Sequence, residues 1–150
     1  MTVPNDPTPA PASAAPPKPT RLAPIVTLDA KFFWEAADKG EFVGERCADC
    51  GEFRFPPRPM CPRCHSVRRE VVKLSGHGKV YSWILPRHPM PFGFKESPIV
   101  AVIELEEGYR LVSNLYEVPF EQVRAGMPVE VFFAPTMGNH QVPVFRPRAK

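Results

Sequence analysis

Hydrophobic positions change texture along the chain, and each texture predicts a different kind of structure. Up to residue 24 the sequence interleaves Ala, Ser and Thr with eight prolines and shows no apolar stripe, which predicts a solvated, polyproline-like tail over 1–24, disordered and burying nothing. Between 27 and 40, Leu28, Phe32 and Ala36 recur at helical spacing with Phe33 and Ala37 beside them. A short amphipathic helix within 25–40 follows, with Thr27 or Asp29 able to cap its start and Gly40 able to end it in the left-handed conformation. Phe32, Phe33 and Trp34 carry more aromatic surface than one helix face hides, so part of it is expected to pack on the domain and the rest to meet a partner.

From 41 to 69 no periodic segment exceeds a few residues, so something other than a hydrophobic core has to order this stretch. Strand-like runs follow at 71–74, 79–85, 99–105, 110–118, 129–133 and 142–145, separated by turn sequences such as Ser75-Gly76-His77-Gly78 and Glu106-Glu107-Gly108. One helical turn is expected over 119–126, with Pro119 at its start and Gly126 at its stop. Short strands with one late helical turn match the five-stranded Greek-key barrel called the OB-fold better than a parallel sheet with crossover helices.

Composition narrows this picture. With 150 residues one core is expected, and all 11 Phe, both Trp and all three Tyr lie beyond the proline-rich stretch, where they can build it. No apolar run approaches the roughly 18 residues of a membrane span. The first residues lack the basic and apolar regions of a secretory signal, so a soluble protein of the reducing cytoplasm is expected. There, four cysteines are metal ligands more readily than disulfides.

Their spacing agrees. Cys47-Ala-Asp-Cys50 and Cys61-Pro-Arg-Cys64 are two CxxC knuckles ten residues apart. Each knuckle turns both sulfurs to one side of a tight loop, and two facing knuckles give the tetrahedral four-thiolate site that zinc favours. Iron in a rubredoxin-like site uses the same ligands. Four protein ligands close the coordination shell, so the metal is structural, and its binding supplies the ordering free energy that 41–69 otherwise lacks. Cys61 to His65 also fits the CxxCH pattern of haem attachment, but that chemistry requires export and leaves Cys47 and Cys50 unexplained. Thioredoxin-like use needs a strand before and a helix after the motif, against which Pro62 and the upstream prolines argue. The predicted organisation is mainly β: a tail over 1–24, a helix over 25–40, a rubredoxin-like zinc ribbon over 41–70 and a five-stranded OB-fold barrel over 71–150.

Catalytic signatures are missing from the sequence. The four histidines are scattered without an HxH or HExxH arrangement, no GxSxG elbow or phosphate-binding Gly-rich loop occurs, and no carboxylate pair stands out. A net charge of +3 names no anionic partner by itself. Locally, however, Arg46, Arg54, Arg58, Arg63, Arg68, Arg69, Lys73 and Lys79 stand against Asp49, Glu52 and Glu70. This excess reads as a solvated face or, more sharply, as an anion site for nucleic-acid phosphates or for a nucleotide-bearing thioester such as coenzyme A. The loop 86–98 carries Met90, Phe92 and Phe94 between two strands and has the length of a functional segment.

The aromatic helix leads into Gly40-Glu-Phe-Val-Gly-Glu-Arg-Cys47, then Phe55-Pro-Pro-Arg58, Gly78-Lys-Val-Tyr-Ser-Trp83, Pro98-Ile-Val-Ala-Val-Ile-Glu-Leu105 and Gly126-Met-Pro-Val-Glu-Val-Phe132. In this order, from about residue 28 to 135, the chain resembles the zinc-ribbon plus OB-fold family known as domain of unknown function 35. The resemblance implies an accessory subunit that docks on a thiolase-like enzyme, as a heterotetramer on a thiolase dimer. Such assemblies carry out thiolysis, acyl transfer or retro-aldol cleavage of acyl-CoA thioesters, including steroid side chains and aromatic degradation intermediates, with the catalytic residues in the thiolase-like chain. It carries over onto Cys47, Cys50, Cys61 and Cys64 as metal ligands. For partner or substrate contact the expected residues are Phe92 and Phe94, with Arg54 or Arg58 near the CoA phosphates. The rival reading is a single-stranded nucleic-acid-binding module, since OB-folds and zinc ribbons stack bases on aromatics in a basic groove. The small net charge and the placement of most aromatics in strand runs weigh against it. A free-standing small enzyme acting on thioesters is the third.

Overall fold

The structure, a computed structural model, describes residues 21–148. A short helix, α1 (Lys31–Asp38), precedes three strands, β1 (Val43–Cys47), β2 (Phe53–Arg54) and β3 (Arg69–Lys73). Five longer strands follow: β4 (His77–Ile84), β5 (Ile99–Leu105), β6 (Arg110–Leu115), β7 (Pro128–Pro135) and β8 (Gln141–Pro147).

The helix starts later than its sequence pattern suggests. Ala30 occupies the N-cap without a side-chain bond, and the backbone N–H of Ala30 donates to the Thr27 carbonyl instead, so neither Thr27 nor Asp29 caps it. Leu28 therefore precedes the helix and is 90% exposed rather than part of the buried stripe. The stop is as expected: Gly40 has φ +75° and donates to the Ala37 carbonyl. Phe33 and Ala37 form the buried face, with Phe33 packed against Trp34, Phe42 and Phe55.

β1, β2 and β3 make an antiparallel sheet in the order β2-β1-β3. The run at 71–74, expected in the series that builds the barrel, instead pairs with the cysteine-bearing strand, Val43 opposite Lys73 through Cys47 opposite Arg69. The expected boundary at residue 71 thus falls inside a ribbon strand. Val71 faces solvent, and Leu74 turns inward, its N–H donating to the Phe42 carbonyl.

The remaining strands close into a barrel in the order β4-β5-β6-β8-β7, with a parallel contact between β6 and β8 at Leu115 and Phe145, which is the OB topology. β5 shows the cleanest logic. Ile99, Ala101, Ile103 and Leu105 point inward and the residues between them are half-buried, as the two-residue period of a strand requires. Val80, Leu111, Leu115, Val129 and Phe145 complete the interior. The helical turn expected over 119–126 shrinks to a single 3-10 turn at Phe120–Gln122, because Val123 is extended at ψ 134° and cannot propagate it.

An aromatic seam joins ribbon to barrel. Phe53 stacks on Tyr109 at 4.9 Å and 17°, and Phe42 meets Phe145 edge-on at 6.1 Å. The Tyr109 hydroxyl passes so close to β1 that a Cβ at Gly44 would lie 2.9 Å from it, so a larger residue there would have to displace the Tyr109 or Leu74 side chain.

Two polar clamps hold the N-terminal side on the barrel. The tail reading covered 1–24; residues 1–20 lie outside the described residues, while Arg21 is docked, its carbonyl accepting from Met137 N–H at 2.7 Å. At the end of α1, the Asp38 carboxylate accepts from the Gln141 N–H at 2.8 Å and contacts His140 Nδ1 at 2.8 Å. Burial raises the Asp38 carboxyl, but the Gln141 amide and His140 outweigh it and hold the group below its usual range. A depressed carboxyl contributes stability above its unfolded value of 3.8 that disappears as pH falls through the folded value. Asp38→Asn is therefore expected to cost roughly 1–2 kcal/mol at pH 7 in urea denaturation, with the difference from wild type closing below about pH 4.

Candidate functional site: a four-cysteine metal centre and the apolar face beside it

The two knuckles have the same backbone. In the first, Gly51 N–H donates to the Cys47 carbonyl at 3.0 Å and Cys47 N–H to the Glu52 carbonyl at 2.9 Å. In the second, His65 N–H donates to the Cys61 carbonyl at 3.0 Å and Cys61 N–H to the Ser66 carbonyl at 2.9 Å. The residue after each knuckle takes the left-handed conformation, Gly51 at φ 75° and His65 at φ 60°. His65 thus has a backbone role in the knuckle turn, and the CxxCH pattern is accounted for by that repeat.

The four Sγ atoms lie within 4.8 Å of one another, with Cys47–Cys64 and Cys50–Cys61 both at 3.6 Å. A tetrahedral thiolate site with bonds of about 2.3 Å spaces its sulfurs by about 3.8 Å, so the donor set fits such a metal. Backbone N–H groups tilt the thiols toward thiolate: that of Cys50 brings Cys47 down to about 7, and that of Cys64 lowers Cys61. At Cys64 the Ser66 N–H acts the same way, but the neighbouring Cys50 sulfur, burial and the other two thiols push it up to about 12. Four thiolates cannot share this volume without a cation, and a divalent metal resolves the conflict. Cys47 and Cys61 are buried, Cys50 is half-buried and Cys64 is exposed.

Around the centre, the basic excess of 46–79 is largely neutralised. Arg46 pairs with Glu70 at 2.7 Å, Arg63 with Glu52 at 3.3 Å, Lys79 with Glu104 at 3.0 Å and Arg68 with Asp49. Arg54 departs from the sequence expectation. Its side chain is fully buried against Glu45, Nε lying 3.2 Å from Oε1 in a contact too misaligned for a hydrogen bond, while its terminal nitrogens donate to the Arg68 and Arg58 carbonyls. Arg54 is an internal strut and offers nothing to a CoA phosphate. Burial raises the Glu45 carboxyl, and Arg54 and Arg69 pull against that. Arg58 is exposed and makes no ion pair among the described residues.

Phe92 is 80% exposed on the 86–98 loop, whereas Phe94 is half-buried beneath the Arg21 guanidinium, 5.4 Å from its ring centre. Phe94 forms the wall between a groove of about 770 Å³ at one end of the barrel and one of about 440 Å³. Phe92 lines the second together with Leu22, Val100 and Val112, and Val112 continues into a third groove beside Ile25 and Trp34. Leu22, Ile25, Phe92 and Val112 are all at least half exposed, and Ile84, opposite Val100 in the β4–β5 register, is 61% exposed. Together they make an apolar face on the outside of the barrel. Sequence reading singled out Phe92 and Phe94 but missed this face and Arg21; the available signal was Asn114, a polar residue in the middle of an apolar run.

Family models match both halves: the rubredoxin-like zinc ribbon domain of ChsH2 over residues 34–67 and the C-terminal OB-fold domain of ChsH2 over 71–134. A solved structure titled Ltp2-ChsH2(DUF35) aldolase contains a chain 39% identical, with TM-score 0.74, over 83% of this chain and 98% of that one. The chain belongs to the DUF35 family. Among its relatives, a protein named probable enoyl-CoA hydratase alpha subunit of Thermomonospora curvata is 40% identical over 131 residues, 87% of this chain and 41% of the relative. The benzoylsuccinyl-CoA thiolase subunit BbsA of Geobacter metallireducens is 33% identical over 102 residues, 67% of this chain and 68% of that one. The chain therefore spans less than half of the hydratase subunit. No helix among the described residues is long and apolar enough to cross a membrane.

Proposed function

We propose that this DUF35 chain is an accessory subunit that docks on a thiolase-like enzyme acting on an acyl-CoA thioester, with its four-cysteine centre holding a structural zinc. The observation that carries the reading is the 39% identical chain of the Ltp2-ChsH2(DUF35) aldolase, matched over 98% of its length. The thiolase-subunit name of the Geobacter relative supports the same class of partner. Zinc, bound by four thiolates, keeps the ribbon folded; this chain's own residues present a docking face, and the partner supplies the acyl-transfer, thiolysis or retro-aldol machinery. A thiolase dimer would carry two copies, giving a heterotetramer.

The apolar face of Ile84, Phe92 and Val112 is the docking surface in this reading, since soluble chains seldom leave such a contiguous patch uncovered. Phe92→Asp in the full chain is expected to weaken binding to the thiolase-like protein by at least about tenfold in calorimetric titration, while leaving the melting temperature unchanged because Phe92 packs on little. Wild-type affinity in that variant would remove the face from the interface.

A further inference from the structure

Arg21 is held between an amide, a hydroxyl and an aromatic ring. Its Nη2 donates to Asn114 Oδ1, its Nη1 lies 3.4 Å from the Tyr116 hydroxyl, and its guanidinium sits over the Phe94 ring. Asn114 is itself buried at 6% exposure, and its Nδ2 donates to the Ile99 carbonyl at 3.2 Å, which fixes the amide so that its oxygen faces Arg21. All these partners are neutral. Among the described residues Arg21 makes no ion pair, in contrast to Arg46, Arg63, Arg68, Arg110 and Arg146. A guanidinium oriented by dipoles and an aromatic face, with no carboxylate paired to it among the described residues, is prepared for an oxyanion.

Its position defines the rest of the site. Arg21 lines all three adjoining grooves, the largest of which is floored by Leu85, Ile99, Leu115 and Phe120. Lys95 adds a second cation beside Glu96, and Glu117 on the same rim is bridged to Arg146 at 3.6 Å. An apolar trough with such an arginine at its edge suits a molecule with an apolar body and an anionic group.

We propose that Arg21 is the anion-receiving group of a ligand site in this groove, taking an oxyanion of a ligand whose apolar body lies along Leu85, Ile99, Leu115 and Phe120. On the proposed function that oxyanion is a phosphate of an acyl-CoA thioester, and the site moves the expected phosphate contact from the ribbon arginines to Arg21; a carboxylate on an alkyl chain offers the same chemistry. Isothermal titration of the full chain alone with hexanoyl-CoA and with sodium hexanoate separates the two sources. Saturable binding of at least one probe is expected, weakened about tenfold or more in Arg21→Gln and less in Arg21→Lys, which keeps the charge but not the planar fork. Phe94→Ala, which removes the platform and leaves the Arg21–Asn114 bond, is expected to weaken the same probe severalfold. Absence of saturable binding by either probe, or equal affinity in Arg21→Gln and wild type, overturns the site. Docking on the thiolase-like partner is read by complex formation without any CoA compound present, so the two proposals fail separately.

Discussion

Cys61→Ser is expected to unfold the ribbon and to lower the stability of the whole chain by at least about 3 kcal/mol. The reason lies in how little else holds this segment. Within 41–70 the buried apolar residues are Phe42, Val43, Cys47 and Cys61, so half of them are metal ligands. Structural zinc contributes roughly 10–16 kcal/mol in small zinc-binding peptides, and a fully buried thiolate is a large part of such a site. The loss spreads because the ribbon is sewn to the barrel by Phe53 on Tyr109 and Phe42 on Phe145. Elemental analysis should find one zinc per wild-type chain and substoichiometric metal in the variant. Near-ultraviolet circular dichroism should show the aromatic signal of the seam collapse on chelation. Cys64→Ser, at the exposed corner of the cluster, is expected to lose metal less completely than Cys61→Ser. Full stability after quantitative metal removal would show that the ribbon folds without it.

The second large effect concerns the Glu45–Arg54 pair, in which both side chains are wholly buried. Glu45→Leu leaves a guanidinium in the ribbon interior with two carbonyls and no counter-charge, and is expected to cost about 3–5 kcal/mol. Arg54→Met strands the carboxylate with only the half-exposed Arg69 beside it, and should cost a similar amount. The double variant Glu45→Leu with Arg54→Met is expected to recover most of the loss, because a hydrophobic pair of similar volume carries no desolvation penalty. A urea-denaturation double-mutant cycle measures all four corners. Additive losses in the double variant would mean that the two charges do not act as a pair.

These residues also show where sequence reading stops. Strand β5 was legible in full, since the alternation of Ile99, Ala101, Ile103 and Leu105 is a local property of one strand with one face inward. The metal centre was legible for the same reason: a CxxC knuckle is a local turn, and two of them at short separation need only face each other. What escaped depends on contacts between distant positions. Arg54 looks like any surface arginine until β1 and β2 pair and bring Glu45 opposite it. The run at 71–74 carries enough valine for a barrel strand, yet its partner is the strand that begins at Val43, chosen by the return of the chain from the second knuckle. Arg21 sits at the end of a proline-rich stretch that predicts solvation, and its anchor, Asn114, is 93 positions away. The proposed thiolase-like partner was suggested in the sequence only by the resemblance of the whole motif series, because no single residue in the chain specifies it.

The most direct test of an accessory-subunit role is co-expression of the tagged full chain with the thiolase-like protein of the same source, followed by size-exclusion chromatography with light scattering. A single species containing both chains, with two copies of each, is the predicted result. Elution of this chain by itself at its own mass of 16.8 kDa, with the thiolase-like protein in a separate peak, would contradict it.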